Sequence, residues 1–299
     1  MKKLLIICGP TATGKTGLGL KLAKKLNGQI ISADSRQVYL GMDIGTGKDL
    51  HLINNIKVWG YDLVKPDQDF SLAHFVKFAR PLIKKIQAQK QLPILIGGTG
   101  LYLQAITKPI KTINIPPDPK LRQKLTSLTI KQLQTKLKKL NPDRFNSMNH
   151  SDQHNPRRLI RAIEIQKSKT KKPSPPQLSL DVLWLGLTAP KSVLDERIIK
   201  RVDQRFKLGA EKEVKKLLNS GYTWDLPAMS AMGYKQWQPY FENQASLEDV
   251  KQAWIKAEQQ YLRRQLTWFK KQTNIHWFDI TQRNLYPKLA TKVAAWYTK

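Results

Sequence analysis

The chain has 299 residues, of which 40% are apolar, which is enough for one large or two modest globular domains. Lysine and arginine outnumber aspartate and glutamate by 52 to 22, a formal charge of +30 that indicates a polyanionic partner such as RNA, DNA or an anionic membrane surface. A generally basic proteome would give the same excess, so charge alone does not identify the partner. No stretch reaches the roughly 20 apolar residues of a membrane span, so we expect a soluble protein that crosses no membrane. The one cysteine, Cys8, cannot form an internal disulfide, which favours a reducing, cytoplasmic setting.

Short apolar runs alternate with stretches of helical spacing along most of the chain. This alternation predicts an α/β fold, with a parallel sheet covered by helices. A glycine-rich motif directly follows the first run, which favours a buried strand over the start of a signal peptide. The runs are 3–8, 29–33, 92–97, 182–187 and 275–280.

Residues 114–178 interrupt that alternation and form a candidate inserted domain. The segment has proline-rich joints at both ends, with Lys/Leu-rich helical sequence between them. From Asp118 to Lys172 there are fifteen lysines and arginines against four acids, which suits a surface that grips phosphates. We therefore divide the chain into a core of 1–113 and 179–299 and a helical insert of 114–178.

Two helical regions follow the insert. Residues 190–218 read as a charged helix or helix pair, and 247–271 as one long helix. The long helix carries an apolar stripe, which at this spacing favours core packing over stacking on bases. The stripe consists of Leu247, Val250, Trp254, Ala257, Tyr261 and Trp268.

The motif after the first strand has the spacing of a P-loop and precedes a predicted helix. Its glycines let backbone amides surround phosphate oxygens, its lysine neutralises their charge, and the Thr16 hydroxyl can ligate Mg²⁺. The motif therefore predicts a polyphosphate ligand without identifying it as a nucleotide. Its residues are Gly9, Pro10, Thr11, Ala12, Thr13, Gly14, Lys15 and Thr16.

An ordinary P-loop NTPase has a second strand that ends in a magnesium-holding aspartate. Here the run 92–97 leads instead into Gly98, Thr99 and Gly100, which place backbone and a hydroxyl at the ligand-binding edge of the sheet. Asp34 follows the run 29–33 and lies at the same edge. It is either a general base or the cap of a following helix.

Seven segments resemble, in order, the motifs of the tRNA dimethylallyltransferase family, and they span almost the whole chain. They are GPTATGKT at 9–16, DSRQVYLGMDIGTGK at 34–48, LIGGTGLYLQA at 95–105, RRLIRAIEI at 157–165, RVDQ at 201–204, MGYKQ at 232–236 and RRQLTWF at 263–269. The run at 34–48 is the most specific because other P-loop kinases lack it.

The resemblance implies that dimethylallyl diphosphate, and not ATP, occupies the P-loop, and that the acceptor is the adenosine 3′ to the anticodon of tRNA. Lys15, Thr16 and Arg201 would hold the diphosphate and its Mg²⁺. Asp34 would take the proton of the adenine amine, and Thr99 would contact the substrates at the mouth of the channel. The resemblance also implies that a larger set of residues contacts the tRNA. These are Asp34, Ser35, Arg36, Gln37, Thr99, Arg122, Arg157, Arg158, Leu159, Ile160, Arg161, Gly233, Tyr234, Lys235, Arg263, Arg264 and Gln265. Because nothing resembles the zinc finger of eukaryotic relatives, we expect a bacterial-type enzyme. We also expect it to be a monomer.

The chain departs from the family pattern just before the insert's last predicted helix. Either His150 or His154 could correspond to the histidine of the family motif, and we assign no role to either. Two other functions fit parts of the sequence. A shikimate- or gluconate-type kinase shares the sheet but not the insert or the large basic excess. In a nonenzymatic, nucleotide-gated RNA-binding protein, Asp34 would be only a cap and Thr99 only a turn residue.

Overall fold

The structure is a computed structural model that describes residues 2–53, 56–168 and 178–298. Within them, six strands form one sheet: β1 (Lys3–Cys8), β2 (Gly28–Ser32), β3 (Val58–Trp59), β4 (Leu92–Gly97), β5 (Asp181–Thr188) and β6 (Ile275–Asp279). Their spatial order is β3-β2-β4-β1-β5-β6, and each neighbouring pair is parallel. The predicted α/β fold is confirmed.

The five apolar runs predicted as strands all form strands. All six residues of β1 are buried, as expected of a strand covered by helices on both faces. The two-residue β3 was not predicted, because two residues are too short to show a period. β1 lies between β4 and β5, with Cys8 paired to both Gly97 and Gly186. The segments that leave β1, β2 and β4 therefore emerge at one edge of the sheet.

Among the described residues, three α-helices precede the insert: α1 (Lys15–Lys25), α2 (Leu72–Ala88) and α3 (Gly100–Thr107). A short 3-10 helix lies at Leu50–Leu52. α2 begins at a capping box in which the Ser71 side chain accepts from the His74 amide. α1 contributes Leu20, Leu22 and Ala23 to a core cluster with side chains of the central strands. α1 and α3 begin directly at the edge where β1 and β4 end.

Residues Pro109–Gln177 form a compact unit of their own, which begins five residues before the predicted boundary at 114. Its described part contains α4 (Pro119–Thr126), α5 (Ile130–Leu140), α6 (Pro142–Asn146), α7 (His150–Gln153) and α8 (Pro156–Lys167). These helices enclose a small apolar core that includes Leu133, Leu137 and Leu159. The predicted proline-rich closing joint falls at 169–177, outside the described residues.

The remaining helices are α9 (Lys191–Lys207), α10 (Ala210–Asn219), α11 (Gln238–Phe241), α12 (Leu247–Phe269) and α13 (Leu285–Tyr297), with a 3-10 helix at Lys235–Trp237. The predicted charged helix pair and the predicted long helix are thus both present. No helix in the described part of the chain is long and apolar enough to cross a membrane.

The predicted stripe of α12 was partly wrong. Val250 and Trp254 are buried, but Leu247 is exposed, and Ala257, Tyr261 and Trp268 are only partly covered. The buried face is rotated so that it includes two polar side chains. It consists of Val250, Trp254, Ile255, Glu258, Leu262, Gln265 and Phe269. Because a buried polar group needs a hydrogen-bond partner, Glu258 and Gln265 show that this face of the helix makes polar contacts as well as apolar packing.

Candidate active site

The segments after β1, β2 and β4 surround a cavity of about 850 Å³ at the carboxyl edge of the sheet. In open α/β sheets ligands bind at this edge. Of the residues predicted for the site, the cavity is lined by Thr11, Ala12, Gly14, Lys15, Thr16, Asp34, Ser35, Arg36, Gln37, Thr99, Arg201, Arg264 and Gln265. The chain thus brings the P-loop, the candidate base and the candidate arginine to one cavity.

The P-loop has the backbone that its glycines predict. Gly9 has φ +130°, and a Cβ there would lie 2.3 Å from the Leu187 carbonyl oxygen, so only glycine fits. Gly14 has φ +79°, and α1 begins at the next residue. The Thr13 hydroxyl donates to the Pro10 carbonyl at 2.8 Å, which closes the loop on itself. The first turn of α1 therefore presents its unpaired amides to the cavity.

Lys15 folds back across this loop, and its Nζ donates to the Pro10 carbonyl at 2.6 Å. Burial and the nearby positive charge of Arg201 both disfavour the charged lysine, and they lower the pKa of Lys15 to about 8. An anionic ligand would reverse this effect by supplying the opposite charge. Lys15 is therefore a cation held in a place where it lacks a full counter-charge.

Arg201 reaches the P-loop from α9. Its Nη2 donates to the Thr11 hydroxyl at 2.6 Å and to Oε2 of Glu258 at 2.6 Å. Its buried Nε has no hydrogen-bond partner among the described residues. The side chain as a whole lines the cavity and is 25% exposed, so this guanidinium beside a phosphate-binding loop is suited to an anionic ligand.

Asp34 leaves β2 and caps a turn, since its Oδ1 accepts from the Arg36 amide at 2.8 Å and no described helix begins there. Burial raises the pKa of Asp34 above its ordinary value, although the Arg36 and Gln37 amides oppose that shift. A carboxylate with a raised pKa is a stronger base than an exposed one. The side chain remains partly exposed and lines the cavity.

The other predicted residues of this loop make contacts within the protein. Arg36 donates through Nη1 to the Pro227 carbonyl at 2.7 Å. Gln37 accepts from the Ser32 hydroxyl at 2.7 Å and donates to the Gly47 carbonyl at 2.8 Å. Gln37 therefore links the loop after β2 to the glycine-rich segment that follows it.

Thr99 immediately precedes α3, and its side chain is hydrogen-bonded to the Tyr261 side chain of α12. Burial, followed by the nearby charge of Asp34, raises the pKa of Tyr261 to about 12, so its hydroxyl keeps its proton at neutral pH. Tyr261 also lines the cavity, although its spacing in the sequence suggested only core packing. Its ring lies 5.8 Å from the guanidinium of Arg264.

Gln265 joins two of the loops. Its Oε1 accepts from the Thr11 amide at 2.8 Å, and its Nε2 donates to the Gly98 carbonyl at 3.0 Å. A Cβ on Gly98 would lie 2.1 Å from that same Nε2, so the glycine is needed for the contact. Gln265 is therefore buried beside the P-loop, whereas Arg263 and Arg264 on the same helix are exposed.

A second support fixes the glycine-rich segment after Asp34. The Glu213 carboxylate accepts from the amides of Asp43, Ile44 and Gly45 at 2.8 to 3.0 Å. It also accepts from the Tyr234 hydroxyl at 2.6 Å. Tyr234 is fully buried, so its side chain is a support inside the protein, and in its segment Lys235 is the exposed residue.

The predicted residues of the insert are of three kinds. Arg122 and Arg161 bind the buried Glu164, Arg122 through two bonds of 2.6 and 2.9 Å. Leu159 is fully buried in the insert's apolar core, and Ile160 is packed against it. Arg158 pairs with Asp152, and Arg157 is exposed.

The histidines near these residues, His150 and His154, are both exposed, and their rings stack with centroids 4.1 Å apart. The structure adds no contact that gives either one a role.

Sequence reasoning missed Glu258 as a site residue. It is buried on α12, lines the cavity, and contacts Arg201, Arg205 and Thr11. The available signal was a charged residue on the buried face of a helix, one turn after Trp254. Its partners lie at least 53 positions away, so the sequence could not name them.

The glycine-rich loop between β1 and α1, the parallel sheet and the cavity at its carboxyl edge define a P-loop NTPase-like α/β protein. Comparison with known families is more specific. The family described as IPP transferase matches residues 37–272, and isopentenyl transferase matches residues 2–55. A tRNA dimethylallyltransferase of Geobacillus thermodenitrificans is 38% identical over 303 residues, which cover 98% of this chain and 94% of that one. This chain belongs to the IPP transferase family.

Solved structures agree over nearly the whole chain. The full-length tRNA isopentenylpyrophosphate transferase of Bacillus halodurans has a TM-score of 0.75 and 36% identity, covering 99% of this chain and 97% of that one. A eukaryotic dimethylallyltransferase acting on tRNA has a TM-score of 0.83 and 27% identity, covering 98% of this chain and 78% of that one. The similarity therefore includes both the sheet and the insert.

Proposed function

We propose that this chain transfers a dimethylallyl group from dimethylallyl diphosphate to the exocyclic amine of the adenosine 3′ to the anticodon of tRNA, and releases diphosphate. The observation that carries the proposal is the single cavity that joins the P-loop and Arg201 to Asp34 and Thr99. A phosphate-binding end and a base-bearing end in one cavity suit a transfer in which the donor is a diphosphate and the acceptor must lose a proton.

The leaving group would be held at the P-loop. Seven cationic side chains line the cavity against three acidic ones, so a diphosphate brings the charge that the site lacks. The partly exposed guanidinium of Arg201 lines the cavity, and Lys15 has a lowered pKa that an anion would raise again. As the allylic carbon–oxygen bond breaks, negative charge grows on the diphosphate and meets these fixed cations.

Asp34 would act on the acceptor, as the base that removes a proton from the adenine amine. The adenine amine nitrogen forms the new bond to the allylic carbon, the diphosphate leaves with the electron pair of the broken carbon–oxygen bond, and Asp34 takes the proton from the nitrogen. An aromatic amine is a weak nucleophile, so removal of its proton during attack is a useful contribution. Thr99, held by Tyr261, would orient the adenine beside Asp34.

Mg²⁺ fits the chemistry of the donors at this site. The Thr16 hydroxyl and the carboxylates of Asp34 and Asp49 line the cavity, and oxygen ligands are those that Mg²⁺ prefers. Because cationic side chains predominate there, the ion would be held by Thr16 together with the diphosphate and not by protein alone. When bound, it would help neutralise the leaving group.

The acceptor would be gripped from outside the cavity by exposed cations, including Arg157 of the insert and Lys235, Arg263 and Arg264 of the core. The target base must leave its stack, which costs less in an anticodon loop because its bases are unpaired. We propose that the enzyme acts as a monomer. The reaction would take place in the cytoplasm.

The test is nucleoside mass spectrometry of unmodified tRNA incubated with the protein, Mg²⁺ and dimethylallyl diphosphate, with a parallel reaction that contains ATP. The proposal expects dimethylallyl-adenosine in both reactions, because ATP is not the donor. Absence of that product, together with ATP consumption on a small acceptor, would contradict it and favour a kinase. Binding of tRNA without any product would favour a nonenzymatic RNA-binding protein.

A further inference from the structure

We infer that Glu258 is a positioning residue for the diphosphate site, and that it acts by fixing Arg201 against the P-loop. This inference rests on the proposed function and extends it to a residue that has no part in the sequence motifs. Glu258 does not need to touch either substrate for this role.

The geometry places Glu258 at the centre of three contacts. Oε2 accepts from Nη2 of Arg201 at 2.6 Å and from the Thr11 hydroxyl at 3.2 Å. Oε1 accepts from Nη1 of Arg205 at 2.8 Å. Arg201 and Thr11 also bond each other at 2.6 Å, which closes a triangle of three side chains from α12, α9 and the P-loop.

The burial of Glu258 makes this arrangement demanding. Only 2% of the residue is exposed, so an ionised carboxylate there needs its two guanidinium partners. Burial acts to raise its pKa, but the charges of Arg201 and Arg205 outweigh burial and hold the pKa of Glu258 below its usual range. Glu258 is therefore charged at neutral pH and accepts from both arginines at once.

The consequence concerns which donors of Arg201 remain for a ligand. Glu258 and Thr11 share Nη2, which fixes the plane of the guanidinium, while the Arg201 side chain still lines the cavity and stays 25% exposed. Arg205 is nearly buried and approaches Gly47 so closely that a Cβ there would lie 2.2 Å from its Nη2. Glu258 thus holds Arg201 at the cavity and fixes Arg205 beside Gly47.

The test compares Glu258→Gln with the wild-type protein in steady-state transfer and in equilibrium binding of inorganic diphosphate. Glutamine has the same shape, but its amide nitrogen cannot accept from a guanidinium. We expect kcat to fall by about 100-fold, the loss typical when one preorganised donor to a developing anion is displaced. The KM for dimethylallyl diphosphate should change less than kcat, and inorganic diphosphate should bind more weakly.

The decisive measurement is a double-mutant cycle with Arg201→Ala. If Glu258 acts through Arg201, adding Glu258→Gln to Arg201→Ala changes kcat no further than about twofold. Losses that multiply would overturn the inference, as would a Glu258→Gln protein with wild-type kcat and diphosphate affinity. Glu248→Gln, an exposed change on the same helix, is the control and should leave both quantities unchanged.

A second variant covers the case in which Glu258→Gln does not fold. Glu258→Asp keeps the charge but is too short to meet Arg201 and Arg205 together. It should fold, retain tRNA binding and lose kcat. A wild-type kcat in Glu258→Asp would count against positioning. The binding of inorganic diphosphate separates this inference from the proposed function, because it can be measured even if the wild-type protein makes no prenylated tRNA.

Discussion

Arg201 donates a 2.6 Å hydrogen bond to the hydroxyl of Thr11, although 190 positions separate them in the sequence. The P-loop at the start of the chain is therefore completed by helices from its last third. Gln265 makes the same kind of connection, from α12 to the Thr11 amide. Because the insert falls between these segments in the sequence, the cavity is built from parts of the chain that precede the insert and parts that follow it.

Substitution of Asp34 by asparagine should separate catalysis from binding. Asparagine keeps the shape and can still accept the Arg36 amide, but it cannot take a proton. We expect kcat to fall by about 10² to 10⁴, with tRNA affinity largely retained. Single-turnover transfer and filter binding of the same tRNA measure the two quantities. Equal loss of both would argue against Asp34 as a base.

Transfer should also depend on pH through Asp34. The carboxylate acts as a base only when deprotonated, so kcat falls as pH falls through its pKa. Because burial raises that pKa, the fall should begin at a higher pH than for an exposed aspartate. A pH–rate profile checks this. In Asp34→Asn, the residual kcat should not fall in the acidic range where the kcat of the wild-type protein falls.

Lys15 should make diphosphate binding depend on pH on the alkaline side. The pKa of Lys15 in the free protein is about 8, and the lysine is charged only below it. Affinity for inorganic diphosphate should therefore decrease as pH rises through about 8. Calorimetric titration at several pH values measures this, and Lys15→Met gives the control, since any dependence that it retains belongs to the ligand. An equal dependence in both proteins would contradict the prediction.

The sequence predicted the parts of this site that are local. A P-loop is a contiguous motif, and the strand before it is a continuous apolar run, so both could be located without a structure. Asp34 and Thr99 could be assigned to the same edge because parallel strands end together.

The parts that join distant segments could not be predicted in this way. Glu258 and Gln265 occur on a helix whose apolar spacing suggested a different buried face, and their partners are set by how α9 and α12 pack beside the P-loop. Tyr234 appeared to be a tRNA contact from its motif, yet its hydroxyl binds Glu213 inside the protein. Such pairings depend on tertiary contacts that no local pattern records.

Two glycine substitutions should have opposite effects on stability. A Cβ on Gly45 would lie 2.4 Å from the Tyr234 ring, which is buried and cannot move away easily, so Gly45→Ala should destabilise by about 1 to 3 kcal/mol. Gly17, in the first part of α1, has open space around it, and Gly17→Ala should stabilise by about 0.5 to 1 kcal/mol. The urea midpoints of the two variants and wild type test this, and a Gly45→Ala midpoint at or above wild type would contradict the close packing on Tyr234.

Arg157 should contribute to tRNA affinity through charge alone. It is exposed near the start of α8, where a cation can meet a phosphate without first leaving a buried partner. Its replacement by alanine should weaken tRNA binding about equally for all tRNAs and reduce the slope of log affinity against log salt by about 1. At saturating tRNA kcat should not change. The matched control is Lys84→Ala, an exposed cation on α2 near the end of the sheet opposite the cavity, which should leave the slope unchanged. If both variants reduce the slope alike, the tRNA is attracted by net charge and not by a defined surface of the insert.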